Sequence, residues 1–263
     1  MKKIIAFLIF LFGLACFQLY LNSPSQKLES IHFAEREMPI QFLVVHSFSS
    51  SMPDFVDKLN KLEVSTHYII DKEGHIFNLV PDDKVAWHAG KSFWRGSSSL
   101  NALSIGIELQ NDTLGQSPFP TVQIDSFVKL ATQIINKYTI PFENVVAHSD
   151  IAPTRKVDVG KEFPWKQVAK DGVGLWLNEN VAVPAKEEDV SKLLSQIGYD
   201  ITDVKAAAYA FMRRFVPELV ADDNQIDQLE ENLPSWIQQV DLANPLFLLK
   251  LNQAAAVYPK YAK

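Results

Sequence analysis

Residues 145–165, VVAHSDIAPTRKVDVGKEFPW, set the terms for the rest of the chain. Val145, Val146 and Ala147 form a short apolar run, the pattern of a buried strand end. His148 follows at once and would emerge at the C-terminal edge of that strand, where α/β sheets build their sites. Pro153 and Gly160 argue for an irregular loop rather than a helix, and a loop can fold back to bring Asp158 beside the imidazole. Lys156, two residues earlier, would point to the same side as Asp158 in a locally extended backbone. A strand-end histidine is also an ordinary packed or hydrogen-bonded residue, so this stretch alone leaves both readings open.

Outward from it, short strands alternate with helices. Residues 41–46 (QFLVVH) are a near-continuous apolar run, as in a strand buried on both faces. Residues 55–62 have helical spacing, and 68–70 with 76–80 flank the turn 71–74 as a hairpin. Residues 104–109 (SIGIEL) form another strand, in which Gly106 predicts close approach by a neighbouring element. Residues 122–138 read as an amphipathic helix that ends before Pro141. The expected fold is α/β, a mixed central β-sheet flanked by helices over residues 38–177. A polar linker at 178–188 leads to helical patterns at 189–197, 203–215, 224–233 and 246–258. These predict a small all-α domain, 189–263, too modest to carry chemistry of its own.

With 263 residues and a net charge of −6, the chain has no basic stripe, which argues against a nucleic-acid partner. Lys2 and Lys3 precede an apolar run up to Leu21, the pattern of an export signal over 1–22, with a linker at 23–37. Cys16 lies inside that run, where a bacterial lipoprotein signal would place its lipidated residue. Lipid anchor, uncleaved membrane anchor and cleaved signal all stay open, and all three put the body of the protein outside the cytoplasm. Cys16 is the sole cysteine, so an internal disulfide and a Cys-ligated zinc are excluded.

A zinc hydrolase needs three protein ligands and an open position. His46, at the end of its strand as His148 is of its own, is the natural third ligand beside His148 and Asp158. Glu108 ends an otherwise apolar strand and is either a general base or a residue reaching solvent. Lys156 is either an oxyanion partner or a solvated lysine. Trp87, His88, Trp94 and Arg95 lie in a glycine-bounded loop that either lids a core or stacks a substrate; His67 is either core or a support for the site. The sequence contains neither G-x-S-x-G nor H-E-x-x-H, which sets aside the serine-hydrolase and helix-borne zinc-protease readings.

The ordered segments FLVVHS, STHYIIDKEGHIFNLVP, AWHAGKSFWRG, LSIGIELQN and VVAHSDIAPTRKVDVGKEFPW resemble the zinc-dependent N-acetylmuramoyl-L-alanine amidases of type 2, which are related to the peptidoglycan recognition proteins. LLSQIGYDI and AFMRRFVPE resemble the helical peptidoglycan-binding module that follows the catalytic domain in one branch of outer-membrane lipoproteins. The resemblance implies zinc ligands at His46, His148 and Asp158, a catalytic glutamate at Glu108 and a catalytic lysine at Lys156. It implies cleavage of the amide between N-acetylmuramic acid, or its anhydro form, and L-alanine of the stem peptide. It also implies an envelope location and peptidoglycan or muropeptides as partner. A non-catalytic binder of the cell wall and a membrane-tethered scaffold are the rival readings. Ser47, Ala102, Val159 and Lys161 depart from the family pattern, and the last two replace prolines, which predicts a less rigid loop around Asp158.

Overall fold

The protein is described as a computed structural model over residues 32–220 and 229–259. In chain order it runs β1 (Phe33–Glu35), β2 (Phe42–Phe48), α1 (Met52–Lys61), β3 (Tyr68–Ile70), β4 (Ile76–Asn78) and β5 (Lys84–Ala86). Then come β6 (Phe93–Trp94), β7 (Ser97–Ser98), β8 (Ser104–Gln110), α2 (Thr121–Tyr138), β9 (Val145–Ala147) and α3 (His148–Ile151). The chain continues with α4 (Trp165–Lys170), α5 (Val190–Ile197), α6 (Val204–Phe215), α7 (Leu229–Gln238) and α8 (Pro245–Ala255). Residues 1–31 lie outside the described residues, so the expectations on the export signal and Cys16 are not addressed by the fold; the same holds for 224–228 of the third expected C-terminal helix. Among the described residues no helix is long and apolar enough to cross a membrane.

A five-stranded sheet in the order β4-β3-β8-β2-β9 organises the molecule. β3, β8, β2 and β9 are parallel neighbours and β4 closes one edge antiparallel to β3, so the sheet is mixed as expected. Gly74 makes the β3–β4 hairpin possible, because its φ of 83° is a conformation that side chains with a Cβ rarely adopt. α1 begins where the Ser51 side chain accepts from Asp54 N, and its Phe55 stacks on Phe48 at 3.8 Å between ring centroids.

Alternation along each strand sorts the side chains into two cores. Leu43 and Val45 of β2, with Ile105, Ile107 and Leu109 of β8, face α2 and bury Ile124, Phe127 and Ile134. Phe42 and Val44 of β2 and Val146 of β9 face the opposite way, into a core shared with Leu194, Phe211, Phe247 and Leu251 of the C-terminal helices. The expected linker is a segment pinned to α8, through Asn178 N to Gln253 O at 3.1 Å and Ala185 N to Leu248 O at 2.9 Å. The helices after residue 188 therefore form the second covering layer of the sheet, with one hydrophobic core running across the expected linker.

Candidate active site

The alternation that sends Leu43 and Val45 toward α2 sends His46 to the other face, beyond the edge of the C-terminal helices. Parallel register sets His46 beside Glu108 and, one step past the Val45–Ala147 pair, beside His148. Three functional side chains thus share one row across the C-terminal ends of β8, β2 and β9. His148 is the first residue of the short helix α3 rather than a strand residue, because the backbone turns immediately after Ala147. Asp158 comes from the loop. Val157 before it is buried in the core of the C-terminal helices and Val159 after it in the α2 core. Gly160 is pressed against Gly115, where a Cβ would meet backbone at 2.2 Å. Packing on both sides supplies the support that prolines were expected to supply.

His46 Nδ1, His148 Nδ1 and Asp158 Oδ2 form a triangle with sides of 3.0, 3.1 and 3.2 Å. Hydrogen bonding fixes which atoms carry protons. The Ser104 hydroxyl donates to Leu100 O at 2.6 Å, so it accepts from His88 Nε2 at 3.1 Å. His88 Nδ1 then accepts from His46 Nε2 at 2.9 Å, which leaves the His46 Nδ1 lone pair facing the triangle. His148 Nε2 donates to Ala89 O at 3.3 Å, with the same consequence for its Nδ1. Three buried acceptors turned on one another are mutually repulsive unless a cation lies among them. Two imidazole nitrogens and a carboxylate oxygen are a zinc donor set, and four-coordinate zinc with bonds near 2.1 Å spaces its ligands by about 3.4 Å. The residues present fit the ion.

The electrostatics agree with that fit. Burial, then the neighbouring His148, lowers His46 to about 4, so it is neutral at physiological pH as a ligand must be. Glu108 is the opposite case: burial first, then the charge of Asp158, raises its pKa well above the usual value. Its Oε2 is buried and makes no hydrogen bond among the described residues, so a carboxylate oxygen faces the cleft unused. Lys156 Nζ sits at the same cleft and pairs with Glu230 of α7 at 2.6 Å.

The cleft has a volume of about 800 Å³, enough for a sizeable ligand, and Trp87, 41% exposed, stands on its wall. The other residues named as candidates for substrate contact are engaged in the fold. His88 touches the cleft but is engaged in orienting His46; a Cβ on Gly106 would strike its ring at 2.6 Å, which is the close approach that glycine predicted. Trp94 is fully buried, donates to Glu143 O and packs edge-on against Tyr199 at 4.8 Å. Arg95 reaches the carbonyls of Ile197 and Pro259, covering the C-terminal end of α5. His67 is buried at the base of the sheet, accepting from Gly106 N and donating to Lys84 O. Trp94 and Arg95 are structural because the C-terminal segment covers their loop, and His67 because Gly106 and Lys84 hold it within the sheet region itself. Sequence reasoning passed over Ser104, which the i, i+2, i+4 alternation with Gly106 and Glu108 could have found. It also passed over Arg155, which donates to Ala89 O and Lys91 O, and Glu230, for which no local signal exists.

Comparison with known proteins gives this geometry a family. The profile described as N-acetylmuramoyl-L-alanine amidase matches residues 36–161. The N-acetylmuramoyl-L-alanine amidase AmiD of Escherichia coli is 38% identical over 214 residues, covering 68% of this chain and 76% of that protein. The 1,6-anhydro-N-acetylmuramyl-L-alanine amidase AmpD of Enterobacter cloacae is 38% identical over 114 residues, 43% of this chain and 59% of that one. Among solved structures, a complex of Escherichia coli AmiD with the substrate anhydro-N-acetylmuramic acid-L-Ala-D-gamma-Glu-L-Lys superposes with a TM-score of 0.70 at 28% identity, covering 88% of this chain and 100% of that one. AmpDh3 of Pseudomonas aeruginosa with anhydromuramic pentapeptide gives 0.68 at 25% identity, covering 90% and 98%. The chain belongs to the N-acetylmuramoyl-L-alanine amidase family, as the sequence resemblance implied.

Proposed function

We propose that this chain is a zinc-dependent amidase that hydrolyses the bond between N-acetylmuramic acid, or its anhydro form, and L-alanine of the stem peptide, in cell-wall turnover. The observation that carries the reading is the triangle of lone pairs from His46, His148 and Asp158 beside the unpartnered carboxylate of Glu108. The substrate class is supported by the two relatives solved with anhydromuramoyl peptides. The envelope is the location proposed from the N-terminal sequence, with Cys16 as the candidate lipid attachment. Peptidoglycan binding is proposed for the face of the C-terminal helices, on the sequence resemblance alone. A purely binding role has less support, because all three ligand positions are filled by ligating residues.

His46, His148 and Asp158 would hold the metal, and bound zinc supplies Lewis acidity toward a carbonyl and toward water. Glu108 acts as the base: its buried carboxylate accepts a proton from the attacking water and returns it to the departing amide nitrogen, for which a raised pKa is suited. Lys156 leaves Glu230 to place its ammonium against the developing oxyanion. Trp87 offers an exposed ring for sugar stacking at the cleft wall. Incubation of the protein with purified sacculi and mass spectrometry of the digest tests the reading: free stem peptides are expected, and intact muropeptides contradict it. Metal analysis should give about one zinc per chain.

A further inference from the structure

The metal reading leaves a question about the C-terminal helices: what two adjacent arginines are doing inside them. Arg213 and Arg214 on α6 are each only 3% exposed, and arginines are rarely buried unless paired. Their partners are the two segments that carry metal ligands. Arg214 Nη1 donates to Asp150 Oδ2 at 2.9 Å and to Val145 O at 3.2 Å, so it grips the chain on both sides of His148. Its guanidinium lies over the Trp165 ring at 3.8 Å. Asp150 is fully buried and also accepts from Ala147 N at 2.9 Å and from the Tyr199 hydroxyl at 2.7 Å. Arg213 Nη2 donates to Val157 O, the carbonyl next to Asp158. The two ligand segments are joined to each other by Ser149 N donating to Asp158 O at 2.6 Å.

We propose that Arg213 and Arg214 are positioning residues for the metal centre, which makes α6 a working part of the site rather than a separate module. The proposal rests on the zinc reading above. The local chain cannot do this work alone. β9 has three residues and α3 four, too short to hold their own geometry, and 152–164 is mostly irregular. One helix with two consecutive guanidinium groups sets the spacing between His148 and Asp158 from outside. Groups that orient metal ligands typically change metal affinity by tenfold to a hundredfold when removed.

The test uses the full chain and the metal alone. Zinc affinity is measured by chelator competition for wild type, Arg213→Gln and Arg214→Gln, with the absorption spectrum of the cobalt-loaded forms as the signature of ligand geometry. Leu251→Ala, in the same core on α8, is the control for general destabilisation. The expected result is about tenfold to a hundredfold weaker zinc binding and a changed cobalt spectrum in the arginine variants. The control should melt earlier with affinity and spectrum unmoved. Wild-type affinity and spectrum in folded arginine variants overturn the proposal. Should those variants not fold, hydrogen exchange of the wild-type chain decides. Linkage then requires zinc to slow exchange in α6 together with 145–159, and slowing confined to 145–159 overturns it. A wild-type chain that binds neither zinc nor cobalt overturns the metal reading itself, a result distinct from either.

Discussion

The two faces of the sheet are built from the same strands and do different work. The face toward α2 is apolar from Leu43 and Ile105 through Val45, Ile107 and Leu109, with Ser47 as the polar residue at the end of β2. The face toward the C-terminal helices changes character halfway: Phe42, Val44 and Val146 are packed, and one step on come His46, Glu108 and His148. A strand buried on both faces reads as one apolar run, so the first polar residue in such a run marks where the covering layer stops. That is where this chain places its site.

Breaking the comparison starts on the polar half. Glu108→Gln should retain zinc and lose about 10²–10⁴-fold in turnover, since a positioned base contributes that much. Retained turnover would remove Glu108 from proton transfer. The apolar face should answer differently. Phe127 is fully buried against it, so Phe127→Ala should cost about 3–5 kcal/mol in denaturant unfolding while zinc affinity of the folded protein stays as it was. Loss of affinity from that variant would mean the two faces are not separable.

Acid sharpens the contrast, because the buried histidines lie on the site side. His46 and His67 sit at about 4 in the folded chain, lowered first by burial, against an ordinary value of 6.5. The unfolded chain takes up these protons near 6.5 and the folded chain does not. Stability is therefore fully present above about 6.5 and falls as pH drops toward 4, by up to about 3 kcal/mol for each ring. Denaturation of chelator-treated protein between pH 7 and 4.5 measures this, and a flat profile contradicts it. The smallest effect is expected at the cleft mouth. The Lys156–Glu230 pair is partly exposed, and such pairs contribute about 1 kcal/mol or less. Glu230→Gln should free Lys156 and raise turnover by no more than about fivefold; a large loss would make Glu230 part of the chemistry.

What the sequence made legible follows the same division. Period two and strand ends put His46, Glu108 and His148 at strand ends, and the parallel sheet converts that register into neighbourhood; their roles came only with the family resemblance. Gly106 announced a close approach without saying that His88 would make it. Whether Trp94 and Arg95 lid a core or stack a substrate stayed open because the exposure of a loop depends on what covers it, and the cover is the C-terminal helices a hundred residues away in sequence. Glu230, Arg213 and Arg214 were hidden for the same reason: a helical pattern gives the face that is buried, not the segment it is buried against.

The central claim is that the row of residues at the polar end of the second face cleaves the bond between muramic acid and L-alanine. Digestion of sacculi by zinc-loaded protein, followed by mass spectrometry, tests it most directly. Release of stem peptides with a free N-terminal alanine, abolished in Glu108→Gln, is the predicted result. Muropeptides that stay intact with zinc bound would contradict it.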